Sequence, residues 1–314
     1  DGWEQAEAST AQSAFGKVLE LSIPIEILGE LETGDEIQFS VWEENSKTQY
    51  PVGGPGQIIL PDLGNSTVVL EVIDPEGDDF GPGTYTYPTD SVFPSKAFDL
   101  KSFRVAEDEN NLIFKIELYG PIPNPWGSPN NLAIQTIDIY IDTDPGSSTG
   151  ARALLPGRNL SLSEKDGWEY AIWLEGWTPQ ILSPDGETLQ PKEISTADYK
   201  IIVDPAGRSV TIRVAKALFP TFTPELWGYA VMVMGQEGYP SSGIWRIRDV
   251  DAKSAQWRFG GAGNSTNHTR VIDLIWPDGV SPTQAEMLSD FTESTLGSDQ
   301  LTVDDYAIIE LIIP

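Results

Sequence analysis

The sequence predicts an all-β chain of antiparallel β-sandwich type, with one complete sandwich over residues 65–314 and a partial sandwich over residues 1–64 before it. Three observations carry this. Apolar and polar residues alternate over short runs broken by turn residues, the pattern of strands with one buried face. No long helical pattern alternates with those runs, which removes a parallel βαβ architecture. The 29 Gly and 24 Pro supply turns, while 10 Trp, 10 Tyr and 11 Phe supply a core without staples, Cys being absent.

In chain order, strands are read over 18–23 and 36–42, a helical turn over 24–28, and a last short strand over 58–60 before Pro61 and Asp62. The order then recurs. Asp1-Gly2-Trp3-Glu4 returns as Asp166-Gly167-Trp168-Glu169. A strand over 210–214 with a turn over 215–219, a strand over 227–234, and 270–275 ending in Trp276-Pro277-Asp278 follow in the same succession. The repeat implies that residues 1–64 form the second half of a sandwich whose first half is missing from this sequence, the alternative being a chance likeness among common β patterns. Half a sandwich leaves an open edge and a bare apolar face, so a partner is expected: the following domain, or the missing half from a parent protein or a neighbouring chain. Residues 64–67 read as the linker.

The second unit opens with a strand over 68–73. Strands over 101–106 and 112–119 flank a turn and read as a hairpin. Residues 121–131 form a Pro-rich loop presenting Trp126, and 133–141 is an apolar strand buried on both faces. Over 168–174, alternation places Trp168, Tyr170, Ile172 and Leu174 on one face, and Trp173 on the other with Glu169 and Ala171. Strands over 199–203 and 209–214 are joined by Asp204-Pro205-Ala206-Gly207. Strands over 244–250 and 255–259 follow, then a polar loop over 260–269. A helix is read over 281–289 with Ser281 as cap and Pro282 first, and a strand over 303–313 ends the chain. Met232 and Met234 stand at strand spacing and read as core.

Charge narrows the partners. A net charge of −29, from 48 acids against 19 bases, repels phosphate backbones and anionic lipid, which excludes nucleic acid and leaves neutral ligands and cations. No apolar run approaches the ~20 residues of a membrane span. The sequence opens in polar residues without leader features, as expected for a mature chain or a piece of a longer one. Sequons at Asn65, Asn159, Asn264 and Asn267, together with the missing thiols, point to the cell exterior.

The acidic loop over 71–90 is the densest motif. Asp74, Glu76, Asp78 and Asp79 fall within six residues, while Gly77, Gly81 and Gly83 allow positive φ and Pro75, Pro82 and Pro88 stiffen the chain. Crowded carboxylates on a tight loop suit a hard cation such as calcium, and the single His and absent Cys disfavour zinc; a solvated acidic turn is the plainer reading. Asp142 and Asp144 form a second acidic turn. For sugars, flat aromatic faces stack on pyranose rings while polar neighbours bond hydroxyls. Trp126, Trp257 with Arg258, and the pair Trp173 and Trp177 are candidates, each against the plainer reading of a core tryptophan. Catalysis finds little: His268 lies in a polar loop and reads as solvent-facing, and transition-metal ligands are missing.

Six motifs carry a resemblance: EVIDPEGDDFGPGTYTYPTD (71–90), AFDL (97–100), NPWGSPN (124–130), QTIDIYIDTDPG (135–146), LPGRN (155–159) and AQWRFGGAGNSTNHTRVIDLIWPDG (255–279). Over about residues 68–314 the chain resembles the glucodextranase C-terminal binding module, found also toward the C-terminus of archaeal amylopullulanases. The resemblance implies a surface-layer-like module of a secreted or cell-surface α-glucan hydrolase of pullulanase or α-amylase type, outside its catalytic domain, that binds a polysaccharide or cell-wall glycan. It also strengthens calcium at the loop, with Asp99 of AFDL as a distant partner to Asp74, Asp78 and Asp79. Residues 1–64 look like the tail of a preceding module of the same superfamily. Two rivals stand beside a non-catalytic binding region: a surface-layer or filament subunit assembling through its incomplete sandwich, and an enzyme in its own right built on a pair of carboxylates.

Overall fold

The computed structural model describes residues 12–15, 19–22, 36–43, 47–50, 56–59, 66–189, 199–238 and 246–314. The chain divides into two compact units, Asp1–Asn65 and Ser66–Pro314. In the first, described strands pair in antiparallel twos: β1 (Gln12–Phe15) with β2 (Leu19–Ser22), β3 (Glu36–Phe39) with β6 (Gly56–Ile59), and β4 (Val41–Glu43) with β5 (Thr48–Tyr50). The helical turn over 24–28, Pro61, Asp62 and the sequon Asn65 lie outside the described residues.

The second unit is nearly all strand: β7 (Thr67–Ile73), β8 (Leu100–Glu107), β9 (Asn111–Leu118), β10 (Gln135–Asp142), β11 (Leu160–Leu162), β12 (Tyr170–Leu174), β13 (Gln180–Leu182), β14 (Tyr199–Asp204), β15 (Ser209–Ala215), β16 (Gly228–Gly235), β17 (Val271–Leu274) and β18 (Ala307–Ile309), with one short helix, α1 (Gln284–Ser289). Two five-stranded antiparallel sheets, β13-β12-β10-β16-β17 and β14-β15-β9-β8-β7, form the sandwich. Facing residues Ile137, Ile139, Ile141, Val231 and Val233 meet Phe103, Phe114, Val210 and Ile212 in the core between them.

The first sheet is buried on its other face too. Tyr140, Trp173, Ala171, Met232 and Met234 pack under α1, the parallel pair β11–β18 and the loop around Leu154 and Leu155. Hence every residue of β10 and β16 is buried, as the apolar run over 133–141 requires. Within this second core Arg158 is fully buried and donates to Asp138 from Nε (2.6 Å) and Nη2 (3.0 Å), while the Tyr140 hydroxyl donates to Asp138 at 2.8 Å.

Four expectations are corrected. Trp168 shares the core that holds Trp173, while Tyr170 packs against the other, because β12 begins only at Tyr170 and the preceding residues leave the strand. Residues 255–259 form a tight turn, with Ala255 N donating to Arg258 O (3.1 Å), so Trp257 stands at a tip. The helix starts two residues late: Thr283 is its cap, accepting from Glu286 N while Glu286 accepts from Thr283 N, the reciprocal box that Ser281 lacks. The terminal run is not one strand; Val303–Asp305 is a 3₁₀ turn and only Ala307–Ile309 is strand. In the run read over 244–250, Ile247 and Val250 make isolated bridges, and its first residues lie outside the described set.

Candidate functional site

Three tryptophans distant in sequence converge on one groove. Trp126 from the 121–131 loop, Trp177 after β12 and Trp257 from the turn tip line a groove of about 700 Å³ with Gln236, Glu237, Arg248 and Arg258. Trp126 and Trp257 are 43% and 38% exposed, enough to present ring faces to a ligand. Their ring centroids lie 6.2 Å apart at 46°, and both stand edge-on to buried Phe93, at 6.5 and 5.9 Å. The guanidinium of Arg248 lies over the Phe93 ring, 5.0 Å from its centroid, and is itself buried. It bonds the backbone carbonyls of Gln236 (2.8 Å) and Trp257, and shares Glu237 with Arg258. The Nε2 of Gln236, a residue 1% exposed, has no partner among the described residues. Exposed rings thus line one groove together with charged and amide groups.

The acidic loop carries the platform. Phe93 ends the run that begins at Asp74, and this run grips the turn bearing Trp257: Thr86 and Gly260 exchange backbone bonds at 2.9 Å, Thr89 N reaches Ala255 O (3.0 Å), and Gln256 Nε2 reaches Asp90 Oδ2 (2.9 Å). At Gly81, φ is +55° and an added Cβ meets the Tyr85 ring at 2.4 Å, so only glycine lets the loop pass.

Asp74 and Asp78 are brought together with Asp273, their oxygens within 4.8 Å of one another. Asp273, on β17, is fully buried and accepts from Leu100 N (2.7 Å); Asp74 Oδ1 accepts from Trp276 N (2.6 Å). Asp74 Oδ2 and Asp78 Oδ1 are buried with no hydrogen-bond partner among the described residues. Burial, opposed by the Trp276 amide and reinforced by Asp78 and Asp99, pushes the Asp74 carboxyl up to about 9. Burial likewise pushes Asp78 up to about 6, and Asp273 well above the carboxylate range. Two of the expected ligands, Asp79 and Asp99, lie outside this trio. Asp79 accepts from the Tyr87 hydroxyl, and both oxygens of Asp99 receive Gly77 N at 3.1 Å, so these acids shape the loop. Asp273 lies some two hundred residues from the loop in sequence; an acid inside the apolar run VIDLIW was its only signal.

The second turn collects Asp142, Asp144 and Glu169. Its carboxylates are satisfied internally: Asp142 accepts from Asp144 N and Gly167 N, both at 2.9 Å, and Glu169 accepts from Thr143 N (2.9 Å) and its hydroxyl (3.1 Å). A cation is needed less here.

Other candidates fall away. Trp173 is fully buried in the core that also holds Trp168 and touches no solvent, which removes it from sugar contact. Asn267 is fully buried, donating to Thr292 O (3.0 Å) and Asp305 O, and Asn159 is nearly so, donating to His268 O (2.8 Å); a glycan on either nitrogen would occupy the interior. Asn264 is exposed. His268 is not solvent-facing but half-buried, its Nδ1 2.7 Å from Ser265 O and its Nε2 3.6 Å from Asp249. Glu237 and Gln236 went unread, though they mark where the apolar run of β16 turns polar.

The fold and groove are those of a β-sandwich binding module. Residues 69–301 match the family described as the C-terminal binding-module, SLH-like, of glucodextranase, and the chain belongs to that family. No curated protein matches it. Among the described residues no helix is long and apolar enough to cross a membrane.

Proposed function

We propose that the chain is a non-catalytic carbohydrate-binding region of an extracellular or cell-surface α-glucan hydrolase of glucodextranase or amylopullulanase type, attaching it to a polysaccharide or cell-wall glycan. One observation carries this: Trp126, Trp177 and Trp257 share a groove with Arg258, Glu237 and Gln236. Two exposed indoles offer apolar faces to pyranose rings, and the fixed guanidinium, carboxylate and amide groups offer donors and acceptors to hydroxyls. Calcium belongs to the proposal as a structural ion. Asp74, Asp78 and Asp273 would hold it, since two of their buried oxygens lack partners among the described residues and burial raises the pKa of all three. Bound there, it would supply positive charge that ties the loop after β7 to β17 in the opposite sheet.

Affinity electrophoresis of the full chain in gels containing pullulan, starch or solubilised cell wall, with and without chelator, tests the proposal. Retardation by at least one glycan, lost in Trp257→Ala, is expected. Unretarded migration in every gel contradicts it. A second reading, assembly through the first unit, draws on Phe39, Tyr50 and Ile58, which are exposed on its paired strands. Light scattering that finds only monomer at high concentration removes it.

A further inference from the structure

We infer that the tryptophan groove is one end of a longer track, which crosses the Glu237–Arg258 ion pair into a second, polar basin and takes a neutral oligosaccharide of several units. The inference rests on the groove being a sugar site. Next to it lies a basin of about 540 Å³ whose lining includes Asn159, Asp249, Arg270 and Tyr306. Glu237 and Arg258 line both spaces, so their ion pair is a shared wall rather than the end of either. Each space alone falls within the roughly 300–1,000 Å³ of a small-ligand site. The two together exceed what a mono- or disaccharide fills.

The basin repeats the chemistry of the groove. Arg270 is fixed by Nε to Asp249 Oδ1 (2.8 Å) and by Nη1 to Gly157 O (2.8 Å), which leaves Nη2 to donate to a ligand. Asp249 Oδ1 also accepts from Val250 N (3.0 Å), leaving Oδ2 of this half-exposed carboxylate as an acceptor. Although burial pushes Asp249 up, His268 and Arg270 beside it hold its carboxyl below the usual range, so the acceptor stays charged. Half-buried Tyr306 adds a ring. Glu237 and Asp249 sit among Arg248, Arg258 and Arg270, so little positive charge is left over, and the whole chain is strongly negative. Hydroxyl-rich neutral chains fit that balance better than anionic ones.

Isothermal titration of the full chain with maltooligosaccharides and isomaltooligosaccharides, from disaccharide to hexasaccharide, tests the track. For at least one series, affinity is expected to rise about tenfold with length. Tyr306→Ala should remove that rise and leave disaccharide binding in place, whereas Tyr306→Phe should keep it; a thermal melt checks that both variants fold. Length-independent affinity that Trp257→Ala still weakens overturns the track and leaves the groove standing. If no oligosaccharide binds, the sugar reading fails and the track with it.

Discussion

Trp173 and Trp257 occupy similar-looking sequence, yet one is sealed in a core and the other stands at a turn tip. Replacing each with Ala should therefore read differently. Trp173→Ala should cost about 3–5 kcal/mol of stability in denaturant melts, through lost burial and a cavity. Trp257→Ala should cost less than about 1 kcal/mol but weaken glycan binding about tenfold or more. Equal effects on stability would refute the division. Local sequence separated these residues only in part. The Pro-rich surroundings of Trp126 marked an exposed loop, because such residues interrupt strands, whereas the run over 255–259 read as a strand and is a tight turn with Trp257 at its tip. Trp173 lies at a strand position whose outward face looks free from alternation alone. Only the long loops and α1 folded over that face bury it, and no local pattern reports a second layer. The same layer hides Asn267, and it turns Asp138 and Arg158 into a buried pair.

Among elements, the loop over 74–93 links most of what matters. One end holds two of three clustered acids and the other supplies Phe93 beneath the indoles. Its acidity, its glycines and its position after β7 were legible, since those are local properties; that β17 closes the cluster was not, because sheet order is a long-range property. Calcium should raise the melting temperature in proportion to the logarithm of its concentration. Asp78→Ala, at a half-buried position, should abolish that rise, and an undiminished rise would move the ion elsewhere. The chelated chain has its own pH signature. Burial pushes the Asp74 carboxyl in the folded state from an ordinary value of 3.8 up to about 9, so the folded state binds more protons between those limits. Its contribution is fully present below about pH 4 and is lost as pH rises toward about 9. Melts of the chelated chain across that window should fall with pH; a flat or rising profile would contradict the burial of these acids.

At the scale of the molecule, the sandwich class and its strand order along the chain follow from alternation, turn residues and the lack of helical runs, and both large sheets are antiparallel. Which strands are neighbours, and that one sheet is covered twice, came from packing. A net charge of −29 disfavours anionic ligands, and a neutral glycan would bind the proposed groove without counterion release. Tryptophan fluorescence titrated with pullulan and with starch, at low and high salt, follows the groove most directly. A saturable change with at least one glycan is expected, insensitive to salt and absent from the Trp126→Ala/Trp257→Ala chain. A signal that persists in that double variant, or that collapses as salt is added, would contradict it.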